Sequence, residues 1–93
     1  MKVGPKPSKA VTALTSSGQA ATGIGALSGL FVSAASNTPT ITIYDNTAGS
    51  GTVLVPTFTP VAGTSYQFPD IEFLVGCYVA IGGTVTCSPF IRT

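Results

Sequence analysis

The sequence contains no histidine and no tryptophan, only two cysteines, and only 8% charged residues. Without histidine there is no Ser-His-Asp relay and no imidazole-ligated metal. Two cysteines are too few for a disulfide-dense scaffold. An ordinary soluble domain carries about 25% charged residues, so something else must cover this surface. Nine serines and fourteen threonines do so, against four basic and three acidic side chains. Eleven glycines and seven prolines punctuate the chain too often for long uninterrupted helices. A hydrophobic content of 44% and a mean hydropathy of +0.49 argue against disorder. Ninety-three residues suit one small domain.

Charge is unevenly placed. Lys2, Lys6 and Lys9 fall in the first nine residues and Arg92 is next to last, so residues 10–91 carry only Asp45, Asp70 and Glu72. Specific nucleic-acid binding needs several Lys or Arg clustered on one folded face, which this pattern does not supply. Residues 10–44 carry no charge at all. Within them, 20–35 comes closest to a membrane span, but Thr22, Ser28, Ser33 and three glycines interrupt it. The opening Met-Lys-Val-Gly-Pro-Lys-Pro has prolines where a secretory leader needs an apolar run, so the expected setting is the cytoplasm or an assembly built there.

Residues 1–9 read as a basic arm, because Gly4, Pro5 and Pro7 deny helix and strand alike. Beyond it, short β-prone segments alternate with turn signals. Strands are expected at 10–16, 22–27, 30–35, 40–44, 52–59, 64–68, 71–81 and 84–91. Thr40-Ile41-Thr42-Ile43-Tyr44 alternates cleanly, and Pro56 marks an edge or a bulge. Residues 45–51 form a loop in which Asp45 and Asn46 suit turn geometry and Gly49 and Gly51 suit positive φ. Strands spaced by about 8 to 12 residues predict a small antiparallel β-sandwich (jelly-roll or immunoglobulin-like), spanning 10–93 behind the extended arm of 1–9.

Gly82-Gly83 lies between two alternating runs and predicts a closing hairpin. A two-residue turn pairs Ile81 with Thr84 and sets an apolar face against a hydroxyl face. An odd loop with Gly83 left-handed pairs Val79 with Val85 and Cys77 with Cys87, putting Val75, Cys77, Val79, Val85 and Cys87 on one core face. The odd register is preferred. Directly opposed strand cysteines make a strained bridge, so the thiols are expected to be reduced and buried.

No constellation reads as an enzyme. Gly23-Ile24-Gly25-Ala26-Leu27-Ser28-Gly29 has the look of a dinucleotide loop, but no helix is available to follow it, and close packing of small residues explains it better. Asp70 and Glu72 lack a third ligand or a cleft and read as solvated turn residues; Asp45 and Asn46 read as turn formers. Cys77 and Cys87 have no neighbouring base or cation to activate them. Tyr44, Tyr66 and Tyr78 can line a sugar-binding face, though as strand residues they suit the rim of a core. No cofactor or metal is expected. Lys2, Lys6 and Lys9 are the candidate partner-binding residues, since Gly-Pro-Lys-Pro-Ser-Lys suits docking along another surface.

Three stretches, Thr40-Ile41-Thr42-Ile43-Tyr44-Asp45-Asn46, Gly51-Thr52-Val53-Leu54 and Gly76-Cys77-Tyr78-Val79-Ala80-Ile81-Gly82-Gly83-Thr84, resemble small all-β structural proteins of tailed bacteriophages. The resemblance spans about residues 27–91; Cys77 departs from it, standing where a leucine-like residue is usual. It implies a virion component at the capsid surface, foremost a capsid cement or decoration protein, often a trimer or other symmetric oligomer, whose partners are itself and the major capsid protein or another virion protein. The alternative is a tail-fibre, spike or neck module that binds host glycan through tyrosines beside the 45–51 loop. A small membrane protein such as a holin is the third reading, and it requires 20–35 to be helical.

Overall fold

The computed structural model describes residues 9–92, all of them strand or connection. Six strands follow in order: β1 (Lys9–Ala10), β2 (Gly18–Thr22), β3 (Gly25–Asp45), β4 (Thr52–Phe58), β5 (Thr64–Phe73) and β6 (Gly76–Arg92). Two long strands, β3 and β6, pair antiparallel from Ala26 opposite Arg92 to Tyr44 opposite Tyr78. A straight 21-residue strand would run about 69 Å, yet the longest axis of the molecule is 48 Å. The ribbon therefore bends.

The bend lies where Ser36 opposes Thr84 and Thr40 opposes Gly82, so that β3 inserts two more residues than β6. Asn37 (φ 59°), Thr38 (φ 49°) and Gly83 (φ 70°) are all left-handed there. Past it, the ribbon folds back on itself. Gly23-Ile24 links β2 to the start of β3, and Leu74-Val75 links β5 to the start of β6, so the far ends of the two arms meet within a few residues. Gly23 N–H donates to the Val75 carbonyl at 2.8 Å across this junction.

With each arm counted separately, one sheet runs β1, residues 84–92, residues 25–36, β5; the other runs β2, residues 76–82, residues 40–45, β4. Numbering the eight segments along the chain, these orders are 1-8-3-6 and 2-7-4-5. That is jelly-roll connectivity, which decides between the two sandwich types expected from the sequence.

The core lies between the sheets. Leu27, Leu30, Val32, Phe73, Val85, Cys87 and Ile91 enter from the first sheet, and Ile41, Ile43, Cys77 and Val79 from the second, forming one cluster. Along β6 the buried residues keep one parity from Cys77 to Ile91, with Tyr78, Thr86, Ser88 and Phe90 on the opposite side. In β3 the spacing from Leu27 to Leu30 is three residues, because Ser28 is an extra residue opposite β6. Ser33 is extra in the same way. Each serine donates its hydroxyl to a carbonyl of β6, Ser28 to Phe90 (3.2 Å) and Ser33 to Thr86 (3.3 Å).

Several expectations are corrected. Gly82-Gly83 closes no hairpin: Gly83 is left-handed as foreseen, but β3 supplies a matching bend, so the strand deflects instead of reversing. Neither proposed register exists, and Cys77 pairs with Ala21 while Cys87 pairs with Val32 in the other sheet. Both thiols are nevertheless free and buried, because continuous alternation gives them the parity the odd register required. Val75 is 51% exposed and does not join them. The separate strands at 22–27 and 30–35 are one strand with a serine bulge, and 71–81 is broken at Leu74-Val75. The strand at 10–16 reduces to the end of β1 and an isolated bridge from Leu14 to Cys87, while 18–22 forms a strand instead. Between these pieces Ser17 stands in for a ladder partner: its hydroxyl accepts from Ile81 N–H (2.7 Å) and donates to the Ile81 carbonyl (3.3 Å).

Candidate functional site at the charged end

Every charged residue among those described lies at the end of the sandwich away from the bend. Lys9 opposes Ile91, Arg92 and Glu72 both flank Ala26, Asp70 adjoins Ile71 opposite Leu27, and Asp45 closes β3. Lys9, expected in the arm, is the first residue of β1 and is exposed; Lys2 and Lys6 lie outside the described residues. The structure thus places one of the three candidate partner-binding lysines at this end.

Asp45 does more than turn the chain. Its Oδ1 accepts from the N–H groups of Val75 (2.8 Å), Leu74 (3.1 Å) and Gly76 (3.3 Å), and its Oδ2 accepts from Leu74 at 3.0 Å. The N–H groups of Val75 and then Leu74 hold the carboxyl below the usual aspartate range, with Gly76 adding to them. Gly76 has no room for a Cβ, which would stand 2.9 Å from the carbonyls of Ala21 and Asn46. The neighbouring loop is fixed too: Asn46 Nδ2 donates to the Ser50 carbonyl (2.7 Å), Asn46 Oδ1 accepts from Thr47 N–H (2.8 Å), and Gly51 takes φ 99°.

This clamp holds side chains that face water. Ile24 is 69% exposed and Leu74 59%, and with Val75 they make up half of the large exposed apolar side chains of the described residues. All three sit on the two short links that join the sheets. The sequence reading missed them. The available signal was Phe73-Leu74-Val75, three consecutive apolar residues that cannot all face one core; Phe73 is buried and the next two are not.

The acidic pair of the sequence reading separates. Asp70 Oδ1 lies 3.2 Å from Arg92 Nε, and Glu72 is an exposed residue of β5. No cluster of three or more His, Cys, Asp or Glu suited to a metal occurs among the described residues. Of the three tyrosines, Tyr66 packs at the core rim, its ring edge-on to Phe58 at 5.1 Å and its hydroxyl accepting from Val61 N–H at 2.9 Å. Tyr44 and Tyr78 are cross-strand partners, and Tyr78 lies against Gly49 of the 45–51 loop. Burial pushes the Cys77 thiol up to about 12, aided by the nearby Asp45 charge, and the Cys87 thiol to about 11. Such thiols are poor nucleophiles.

No helix among the described residues is long and apolar enough to cross a membrane. No protein-family model, no curated protein and no solved structure matches the chain.

Proposed function

We propose that the protein is a non-enzymatic virion structural protein, a capsid decoration or cement protein that docks through its charged end and associates with its own copies through the uncharged outer face of its second sheet. The observation that carries this reading is the group of exposed apolar side chains Ile24, Leu74 and Val75 on the two links at the charged end, where Asp45 fixes the Leu74-Val75 link and Gly23 N–H bonds the Val75 carbonyl. Exposed aliphatic side chains on fixed loops lose little entropy when a partner covers them. Lys9, with Lys2 and Lys6 in the preceding sequence, extends the contact along an acidic shell surface. Each contact is weak, and repetition over a lattice multiplies it.

Two further features support association by faces and tips over strand addition. Two of the four edge strands are blunted: β4 carries Pro56, and β5 carries Pro69 and a left-handed Asp70. The outer face of the second sheet presents Gln19, Thr42, Tyr44, Val53, Thr57 and Tyr78 with no charge to keep copies apart. Jelly rolls recur among viral capsid domains, an analogy at the level of fold.

The test is co-sedimentation of the full chain with undecorated shells, beside the double variant Leu74→Asp/Val75→Asp and a chain lacking residues 1–8. Wild type pellets with shells, the double variant stays in the supernatant while keeping its β circular dichroism, and the truncated chain binds more weakly. Equal pelleting of wild type and double variant removes the tip from the account.

A further inference from the structure

We infer that the outer face of the first sheet carries a binding site for a neutral saccharide, in a cleft over β3 flanked by β5 and the end of β6. The cleft follows from backbone irregularities. Between the pairs Leu27–Ile71 and Gly29–Gln67, β3 advances two residues and β5 advances four, so the strands part. Ser28 is the bulged residue on one side; Phe68, Pro69 and Asp70 form the other, with Asp70 left-handed at φ 49°. Asp70 rests in a conformation uncommon for a non-glycine residue, its carboxylate 3.2 Å from Arg92 Nε, and strain of this kind clusters at ligand sites.

The opening has a volume of about 360 Å³, within the range of small-molecule sites. Its lining combines two phenylalanines with polar groups of several kinds. Phe90 supplies the apolar wall and is brought close to the sheet by Gly29, where a Cβ would stand 3.1 Å from its ring; Phe68 also borders the opening while packing against the core. Ser65 and Gln67 line the rim, and neither side chain hydrogen-bonds to another described residue. Asp70 and Arg92 complete it as an ion pair, one group of each sign.

This inventory selects the ligand class. An anion would meet the Asp70 carboxylate beside the guanidinium, and a cation would meet Arg92. A purely apolar ligand would strip water from Gln67, Ser65 and the ion pair without replacing those hydrogen bonds. A pyranose offers a C–H face to the Phe90 ring and hydroxyls that both donate to Asp70 and accept from Gln67 and Arg92. The site lies away from Tyr44 and Tyr78, which face outward from the other sheet, and it stands whether or not the protein decorates a capsid.

The experiment is a titration of the ¹⁵N-labelled full chain with galactose, N-acetylglucosamine and maltotriose, and separately with sulfate and adenosine monophosphate. At least one sugar is expected to give saturable amide shifts confined to residues 28, 65–70 and 90–92. The double variant Ser65→Ala/Gln67→Ala, on an exposed edge strand, should weaken that sugar about tenfold or more with the rest of the spectrum unchanged, and Phe90→Leu should weaken it further. No saturable shift with any of the sugars overturns the proposal, as do shifts that the double variant leaves intact. Saturation by sulfate or the nucleotide alone assigns the cleft to an anion or a base and also overturns it.

Discussion

The two ends of this sandwich are built from the same two ribbons and have opposite chemistry. At the bend, Asn37, Thr38, Pro39 and Gly82 to Thr84 deflect the ribbon with left-handed backbone and no charge at all. The other end carries all five charged residues of the described chain and three exposed apolar side chains. The bend is held by backbone geometry: a Cβ at Gly83 would stand 2.9 Å from the Thr38 carbonyl and 3.1 Å from Pro39 Cα. The charged end is held by an ionised carboxylate. Of its five described ionic groups Asp45 fixes a loop, and the fold-determining turn is left to glycine and asparagine.

That contrast can be broken at either end. The largest effect is expected at the bend, where Gly83→Ala adds a Cβ to a left-handed residue facing backbone atoms and should cost about 2–4 kcal/mol, read from urea unfolding. A loss below about 0.5 kcal/mol would mean that the bend is not what fixes the ribbon.

Asp45→Ala removes the acceptor of three N–H groups in a partly solvated loop and should cost about 1–2 kcal/mol. Its amide-exchange signature should be confined to residues 74–76 and their neighbours, leaving the bend protected. Acid should act the same way. The folded carboxyl titrates below its ordinary value of about 3.9, so its contribution is present above that value and is lost as pH falls through the lowered one. Loosening of the charged end below about pH 4, before the bend opens, is the expected order; simultaneous loss would merge the two ends into one unit.

The cysteines give a gentler ruler, because Cys77 lies one residue beyond Gly76 of the clamp and Cys87 lies nearer the bend. Neither should react with an aromatic disulfide reagent near neutral pH in the folded chain, and Asp45→Ala should speed Cys77 labelling while leaving Cys87 slow. The raised thiols add stability that holds below their ordinary range and fades as pH climbs towards about 11 and 12. The smallest effect on stability belongs to Leu74→Ser and Val75→Ser, each within about 0.5 kcal/mol, although both should reduce shell binding.

Much of this architecture is readable from local pattern. Alternation marks 40–44 and 84–91, Pro56 marks an edge, and the spacing of turns marks a sandwich. What local pattern cannot supply is partnership. Gly82-Gly83 between two alternating runs has the grammar of a hairpin, and only the matching bend in β3 makes it a deflection. Ser28-Gly29 has the grammar of a turn, and only the neighbouring strands make it a bulge. The same limit applies to the candidate site. Asp45 is legible as a turn residue, but its three N–H donors lie about thirty residues away in sequence. The saccharide cleft joins Ser28, the 65–70 segment and Arg92, which only the fold brings together.

We propose that this chain works as a repeated part of a virion surface. The most direct test is quantitative mass spectrometry of purified particles, measuring this chain against the major shell subunit. The account predicts copies in simple stoichiometry with the shell lattice, lost on Leu74→Asp/Val75→Asp substitution. A chain absent from particles, or present in only a few copies whatever the residues at its tip, would contradict it.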